Sequence, residues 1–195
     1  MDNATQEKLF AAAIPLFAKK GYAAVSIREI AKAADVNVSS ISYYFRGKEG
    51  LYHAIIESHV ATIAKAVLSA ESLSPEERLR NYAKAISEVH TKKPYVARFI
   101  QSELVNPTSA KDKILKKNLF SFYRYLNKAI QDGIDTGLFR TDLNVHHVAL
   151  SLVGILNFYF IAKPLFRDFL DTSVETDADY AEQAVTIYLE GIRRK

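Results

Sequence analysis

Cysteine is absent from this chain of 195 residues, so neither a disulfide nor a thiolate metal site belongs to its architecture. Glycine and proline are scarce, at seven and five, and an all-β chain needs many more tight turns than these supply. A helical chain is expected. A block of charge of one sign is also lacking. The net charge is +4, with seven Lys/Arg against six Asp/Glu in residues 1–60 and nineteen against sixteen beyond. That balance permits a polyanionic partner but does not demand one, so any case for nucleic acid rests on where residues stand. Long apolar runs are missing too. Val153 to Leu165 is interrupted by Gly154, Asn157, Lys163 and Pro164, and reads as too short to span a bilayer. Met1 to Lys8 has no apolar core of a signal peptide, and the chain reads as cytoplasmic.

The patterns of enzymes are missing as well. His53 and Glu57 share a helix face, but His59 falls off it and no His-Glu-x-x-His zinc motif occurs. There is no phosphate-binding glycine loop and no Gly-x-Ser-x-Gly elbow. No catalytic residue, metal or cofactor is expected.

What is present is helical periodicity. Leu9, Phe10, Ala13, Ile14, Phe17 and Ala18 recur at helical spacing over about residues 5–20, and Gly21 is a natural C-terminal cap. Ser26 begins a short helix over 27–34, with Glu29 placed to complete a capping box. Asn37 caps another over 38–45. A long helix follows over 48–69. Ser74-Pro75-Glu76-Glu77 starts the next, which ends near Thr91. Further helices are expected over 95–105, 112–136, 144–166 and 177–193. The fold class is therefore all-α, with nine helices and no strand. The division expected is an N-terminal domain of residues 1–50 and a C-terminal domain of 51–195, linked through the helix of 48–69.

Two short helices joined by Asp35-Val36-Asn37 cannot stand alone and must share a core. Ile30, Ala31, Ala34, Val36, Ile41 and Phe45 supply inward faces, and the small alanines allow a close crossing. This is the layout of a helix-turn-helix, whose second helix is free to enter the DNA major groove.

At this point the sequence resembles the tetracycline-repressor (TetR) family of transcription regulators. The family pattern is approximately T-x-x-x-I-A-x-x-A-G-V-S-x-x-x-[LI]-Y-x-[YH]-F-x-x-K-x-x-L. Here Ser26 to Leu51 reads S-I-R-E-I-A-K-A-A-D-V-N-V-S-S-I-S-Y-Y-F-R-G-K-E-G-L. The A-x-x-L-F-x-x-x-G-Y stretch from Ala13 to Tyr22 is similar to the family's first helix and its stop. Farther along, the resemblance rests on Gly137-Leu138-Phe139-Arg140 and Asp142-Leu143. Two departures stand out. Asp35 replaces the turn glycine, although Asp tolerates the left-handed conformation, and Ser42 replaces a common tyrosine.

The resemblance implies DNA-contacting roles. Ser26 and Lys48 are expected at phosphates, and Arg28 at a base or phosphate. Val38, Ser39, Ser40 and Ser42 would form the groove-facing front. Tyr43 and Tyr44 would place hydroxyls at phosphates while their rings pack on neighbouring helices. The alternatives are tyrosines that only pack and an Arg28 that is only solvated.

A two-fold homodimer on a palindromic operator follows from the same resemblance. Val148, Leu152, Ile155 and Tyr159, with Tyr180, Ala184, Ile187 and Gly191, are the stripes expected at a four-helix dimer interface. The alternative is that they fill the subunit's own core. Family members hold a small-molecule effector among aromatic middle helices, which points to His90, Arg98, Phe99, Glu103, Phe122, Tyr123, Asn157 and Phe158. Each of these can equally be a surface or core group. The function implied is a ligand-responsive, sequence-specific transcriptional regulator, by family default a repressor released by a small apolar or amphipathic molecule. The rival is a helical module that docks on protein, and steep salt dependence would separate DNA from that.

Overall fold

A computed structural model describes residues 3–68, 72–109, 116–169 and 174–195. Its helices are α1 (Asn3–Ala24), α2 (Ile27–Ala34), α3 (Ser39–Phe45), α4 (Lys48–Leu68), α5 (Pro75–Lys92), α6 (Tyr95–Val105), α7 (Lys116–Asp135), α8 (Val145–Phe166) and α9 (Val174–Ile192). Among the described residues there is no strand, only a two-residue antiparallel bridge between Phe139 and Arg193. The start expected for α7 at residue 112 lies outside the described residues.

The chain forms two compact units. The first comprises Met1–Val60 and Arg98–Lys116, and the second Ala61–Ala97 and Lys117–Lys195.

In the first unit, Leu9, Ala13 and Phe17 of α1 meet Ile30, Ala31 and Ala34 of α2, Ile41 of α3, and Leu51, Tyr52 and Ile55 of α4 in one buried core. Burying each large apolar side chain is worth about 1.5–3 kcal/mol, so this shared core is what holds the two short helices α2 and α3 in place. The joints between them are set locally. Gly21 adopts φ +78, which interrupts α1 where a side chain would be strained. Asp35 takes the left-handed conformation at φ 52, ψ 52, and its N–H donates to the Ala31 and Lys32 carbonyls. The departure from glycine is thus accommodated in the same turn. Asn37 Oδ1 accepts from the Ser39 N–H at 2.9 Å and the Ser39 hydroxyl at 2.8 Å, starting α3.

One expectation at α2 is corrected. Ser26 Oγ accepts from the Glu29 N–H at 3.2 Å, but Glu29 does not reach back to complete a box. Its carboxylate instead pairs with Lys20 on α1, whose ammonium holds the Glu29 carboxyl below the usual range. The complete box is at α5, where Ser74 N–H donates to Glu77 Oε2 at 2.9 Å and Ser74 Oγ accepts from Glu77 N–H.

In the second unit α5 packs on α8 and α9. Leu79, Ile86, Leu152, Leu156, Val185 and Leu189 form the centre of that contact. Arg78 on α5 pairs with Asp132 on α7, and Tyr188 on α9 donates to the Val148 carbonyl on α8 at 2.9 Å. α8 extends beyond the run read from the sequence and is long and apolar enough to cross a membrane by length and composition alone. One of its faces, carrying Ala149, Leu152, Leu156 and Tyr159, is buried inside this unit.

Candidate nucleic-acid interface

The recognition surface follows from how α3 is seated. Ile41 is fully buried, and the half-buried Phe45 stacks on Phe10 of α1 with ring centroids 5.5 Å apart. These two positions turn the other side of the helix outward. Val38, Ser39, Ser42 and Tyr43 are all exposed, as are Ser26 and Arg28 at the start of α2, while Ser40 and Tyr44 are half-buried. One face of α3 carrying small hydroxyl side chains therefore stands clear of the protein, with Tyr43 and Tyr44 toward its far end. Small side chains let a helix axis approach base edges closely, and hydroxyls can donate or accept there.

The tyrosine expectation needs correcting in one part. Tyr43 is 81% exposed, so its ring does not pack on neighbouring helices. It meets Tyr44 edge to face at 4.9 Å, and Tyr44 in turn lies against Phe45. Tyr44 thus serves as the prop and Tyr43 as the projecting group.

Lys48 also departs from expectation. Its ammonium donates to the Tyr22 and Val25 carbonyls, each at 2.9 Å, and lies 4.4 Å from the Tyr22 ring centroid. That ammonium is occupied within the protein.

The residues expected at an effector site divide between the units. In the first, Phe99 and Glu103 are buried and Arg98 is exposed. Phe99 lies against Tyr52 and His59, and Glu103 accepts from Tyr52. In the second, His90 Nε2 and Asn157 Oδ1 are 3.1 Å apart, and the His90 ring stacks on Phe160 at 4.5 Å. Burial lowers the His90 pKa below its ordinary 6.5, and the Asn157 hydrogen bond and Asp177 partly oppose that. Phe122 is buried, and Tyr123 pairs with His146 at 2.9 Å. Phe158 is 64% exposed, which removes it from an interior pocket. An open cleft of about 850 Å³ is present in the first unit, between the end of α1, Glu49, and Ser102 to Ser109. None of the eight expected pocket residues lines it.

The expected dimer stripes are also partly corrected. Leu152, Tyr159 and Ala184 are buried within the subunit and have no surface to offer a second copy. Tyr159 stacks on Tyr180 at 3.9 Å and donates to Asp177 at 2.9 Å. Val148 and Tyr180 are half-buried, whereas Ile155, Ile187 and Gly191 are exposed. The exposed apolar face of α8 instead runs through Leu150, Ile155, Phe158 and Leu165. Periodicity did not find this face because α8 is apolar nearly all round, and such a helix carries no signal for which side is inward.

A Ser–His–carboxylate trio in the first unit is not a catalytic one. Ser109 Oγ lies 2.9 Å from His53 Nε2 and also donates to Glu49 Oε1, which is 3.7 Å from the same ring nitrogen. A triad needs its carboxylate on the opposite nitrogen. With its proton given to Glu49, Ser109 can only accept from an Nε2–H that has no free lone pair to act as base.

Comparison with known proteins agrees with this geometry. The family model described as "Bacterial regulatory proteins, tetR family" matches residues 9–55, and "Tetracyclin repressor-like, C-terminal domain" matches 75–187. The chain belongs to the TetR family. The Bacillus subtilis HTH-type protein YttP is 30% identical over 160 residues, 80% of this chain and 77% of that one. The Pseudomonas putida HTH-type transcriptional repressor NicS is 26% identical over 97% of this chain and 93% of its own. Among solved structures, the ketosteroid transcriptional regulator KstR2 of Mycobacterium tuberculosis matches with a TM-score of 0.82 at 20% identity, covering 100% of this chain and 98% of that one. A tetR-family regulatory protein from Rhodococcus RHA1 matches with a TM-score of 0.81 at 23% identity over 100% of both chains. This TetR-family chain is therefore a DNA-binding transcriptional regulator and not an enzyme.

Proposed function

We propose that this TetR-family protein is a cytoplasmic repressor, dimeric on a palindromic operator and released from it by a small molecule. The observation that carries the DNA side of this reading is the outward face of α3. Val38, Ser39, Ser42 and Tyr43 are exposed while Ile41 between them is fully buried. A single helix of seven residues reads few bases, and pairing two of them across a two-fold axis doubles the contacts. The uncovered apolar side chains of α8, with Ile187 and Gly191 of α9, support the second copy as their cover.

The division of labour proposed is DNA contact by residues 1–50 and effector binding with dimerisation by 51–195. For the effector, the polar corner at His90 and Asn157 is the best-supported starting point. Among the described residues His90 Nδ1 is buried without a hydrogen-bond partner, and an amphipathic molecule with one polar group in reach would satisfy it. Such a ligand acts as an inducer only if it favours the spacing of DNA heads that does not fit two successive grooves.

The deciding experiment is protection mapping on the DNA flanking the protein's own gene. A protected inverted repeat, lost above about 200 mM salt through counterion release, is the expected result. Protection of a single unpaired half-site, or none, would overturn the reading.

A further inference from the structure

Two cations stand two residues apart where the recognition helix ends and α4 begins, and the structure uses them in opposite ways. Lys48 points inward. Its ammonium bridges the Tyr22 and Val25 carbonyls and covers the Tyr22 ring, so it closes the joint between the end of α1 and the start of α4. An ammonium at the carbonyl end of a helix is also favoured by the helix dipole. Arg46 points outward. It is exposed, and its guanidinium takes no hydrogen bond or ion pair among the described residues.

The backbone fixes where Arg46 starts from. Its N–H donates to the Ser42 carbonyl at 3.0 Å, and the following Gly47 N–H donates to Ile41 at 3.4 Å. Arg46 itself sits in the left-handed region at φ 61, ψ 25. A non-glycine residue there is disfavoured by about 1–2 kcal/mol, and the side chain has no partner among the described residues to offset that. Exposed Ser42 and Tyr43 lie one turn before it on the same short helix. A guanidinium rooted at this point, beside the groove-facing residues, suits a backbone phosphate.

We propose that Arg46 is the phosphate-contacting cation at the end of each recognition helix, and that Lys48 is a positioning residue whose ammonium holds the α1–α4 joint. The inference rests on the DNA-binding reading, which the wild-type binding curve tests by itself. Full-length protein is titrated onto a labelled random-sequence duplex at several salt concentrations. The Arg46→Ala variant is expected to flatten the slope of log affinity against log salt by about 0.9 per recognition helix engaged, and Arg46→Lys to restore it. The Lys48→Met variant is expected to lower the thermal midpoint while leaving the wild-type slope. A wild-type slope in Arg46→Ala, or a flattened slope in Lys48→Met at an unchanged midpoint, overturns the assignment. Arg46 is exposed, so its variant folds and decides the phosphate contact even if Lys48→Met does not.

Discussion

The hydroxyl of Tyr52 donates a 2.8 Å hydrogen bond to the carboxylate of Glu103, joining α4 to α6 within the first unit. Both residues are almost wholly buried. Glu103 also accepts from the Thr108 N–H at 3.0 Å and its hydroxyl at 2.9 Å, so three neutral donors hold one buried carboxylate. Burial and the neighbouring carboxylate push the Tyr52 hydroxyl well above the usual range, which keeps it a donor at every working pH. Tyr52→Phe removes one donor and is expected to cost about 1–2 kcal/mol in urea unfolding. Glu103→Ala strands all three donors and is expected to cost more, about 3 kcal/mol. Equal costs would mean that the network does not act through Glu103.

Arg28 is exposed at the start of α2, the helix before the recognition helix. If it reads a base, Arg28→Ala costs about 1–3 kcal/mol, concentrated at one operator position. Binding to a panel of single-position operator variants checks this. Uniform weakening across the panel would make Arg28 a phosphate contact instead.

Gly50 marks where α3 passes over the first turn of α4. A Cβ there would stand 1.7 Å from the Phe45 carbonyl oxygen, a backbone atom that cannot swing aside. Gly50→Ala is expected to lower the thermal midpoint and reduce DNA affinity together, because the end of α3 must shift to make room. Calorimetry with a binding titration tests the pairing of the two effects.

Phe158 and Ile187 are 64% and 67% exposed, on α8 and α9. Phe158→Glu and Ile187→Glu each place a charge on the apolar face proposed for the second copy. Both variants are expected to sediment as monomers with unchanged helical circular dichroism, since neither side chain supports the subunit core. Persistence of the dimer in both would place its interface elsewhere.

His90 gives a pH dependence of defined sign. Its folded pKa lies below the ordinary 6.5 because burial disfavours the cation. The unfolded chain therefore takes up the proton first, and stability is lost as pH falls from about 6.5 through the lower folded value. The stabilising contribution is fully present above that window. The carboxylates of Glu76 and Asp132, held low by Arg193 and Arg78, lose their contributions only at more acid pH, below their ordinary 4.5 and 3.8. His90→Gln is expected to flatten the melting-temperature profile just below His90's ordinary 6.5 and leave the acid limb in place. A profile unchanged by that substitution would mean His90 is not the titrating group.

Caps, turns and the apolar stripes of amphipathic helices were legible by themselves, because their physics is local. Gly21 at positive φ, Asn37 starting α3, the left-handed Asp35 and the Ser74 helix start each involve residues a few positions apart. The helix-turn-helix motif is local too, and the residues read as its outward front are exposed or half-exposed. What only tertiary structure decided is orientation and long-range pairing. Glu29 left its own helix cap for Lys20, and Lys48 turned to carbonyls 23 and 26 residues earlier. The outward face of α8 depended on which side α5 and α9 covered. A side chain long enough to choose among partners, or a helix apolar on every side, carries no instruction in its neighbours along the chain. That choice is made by what the fold brings within reach.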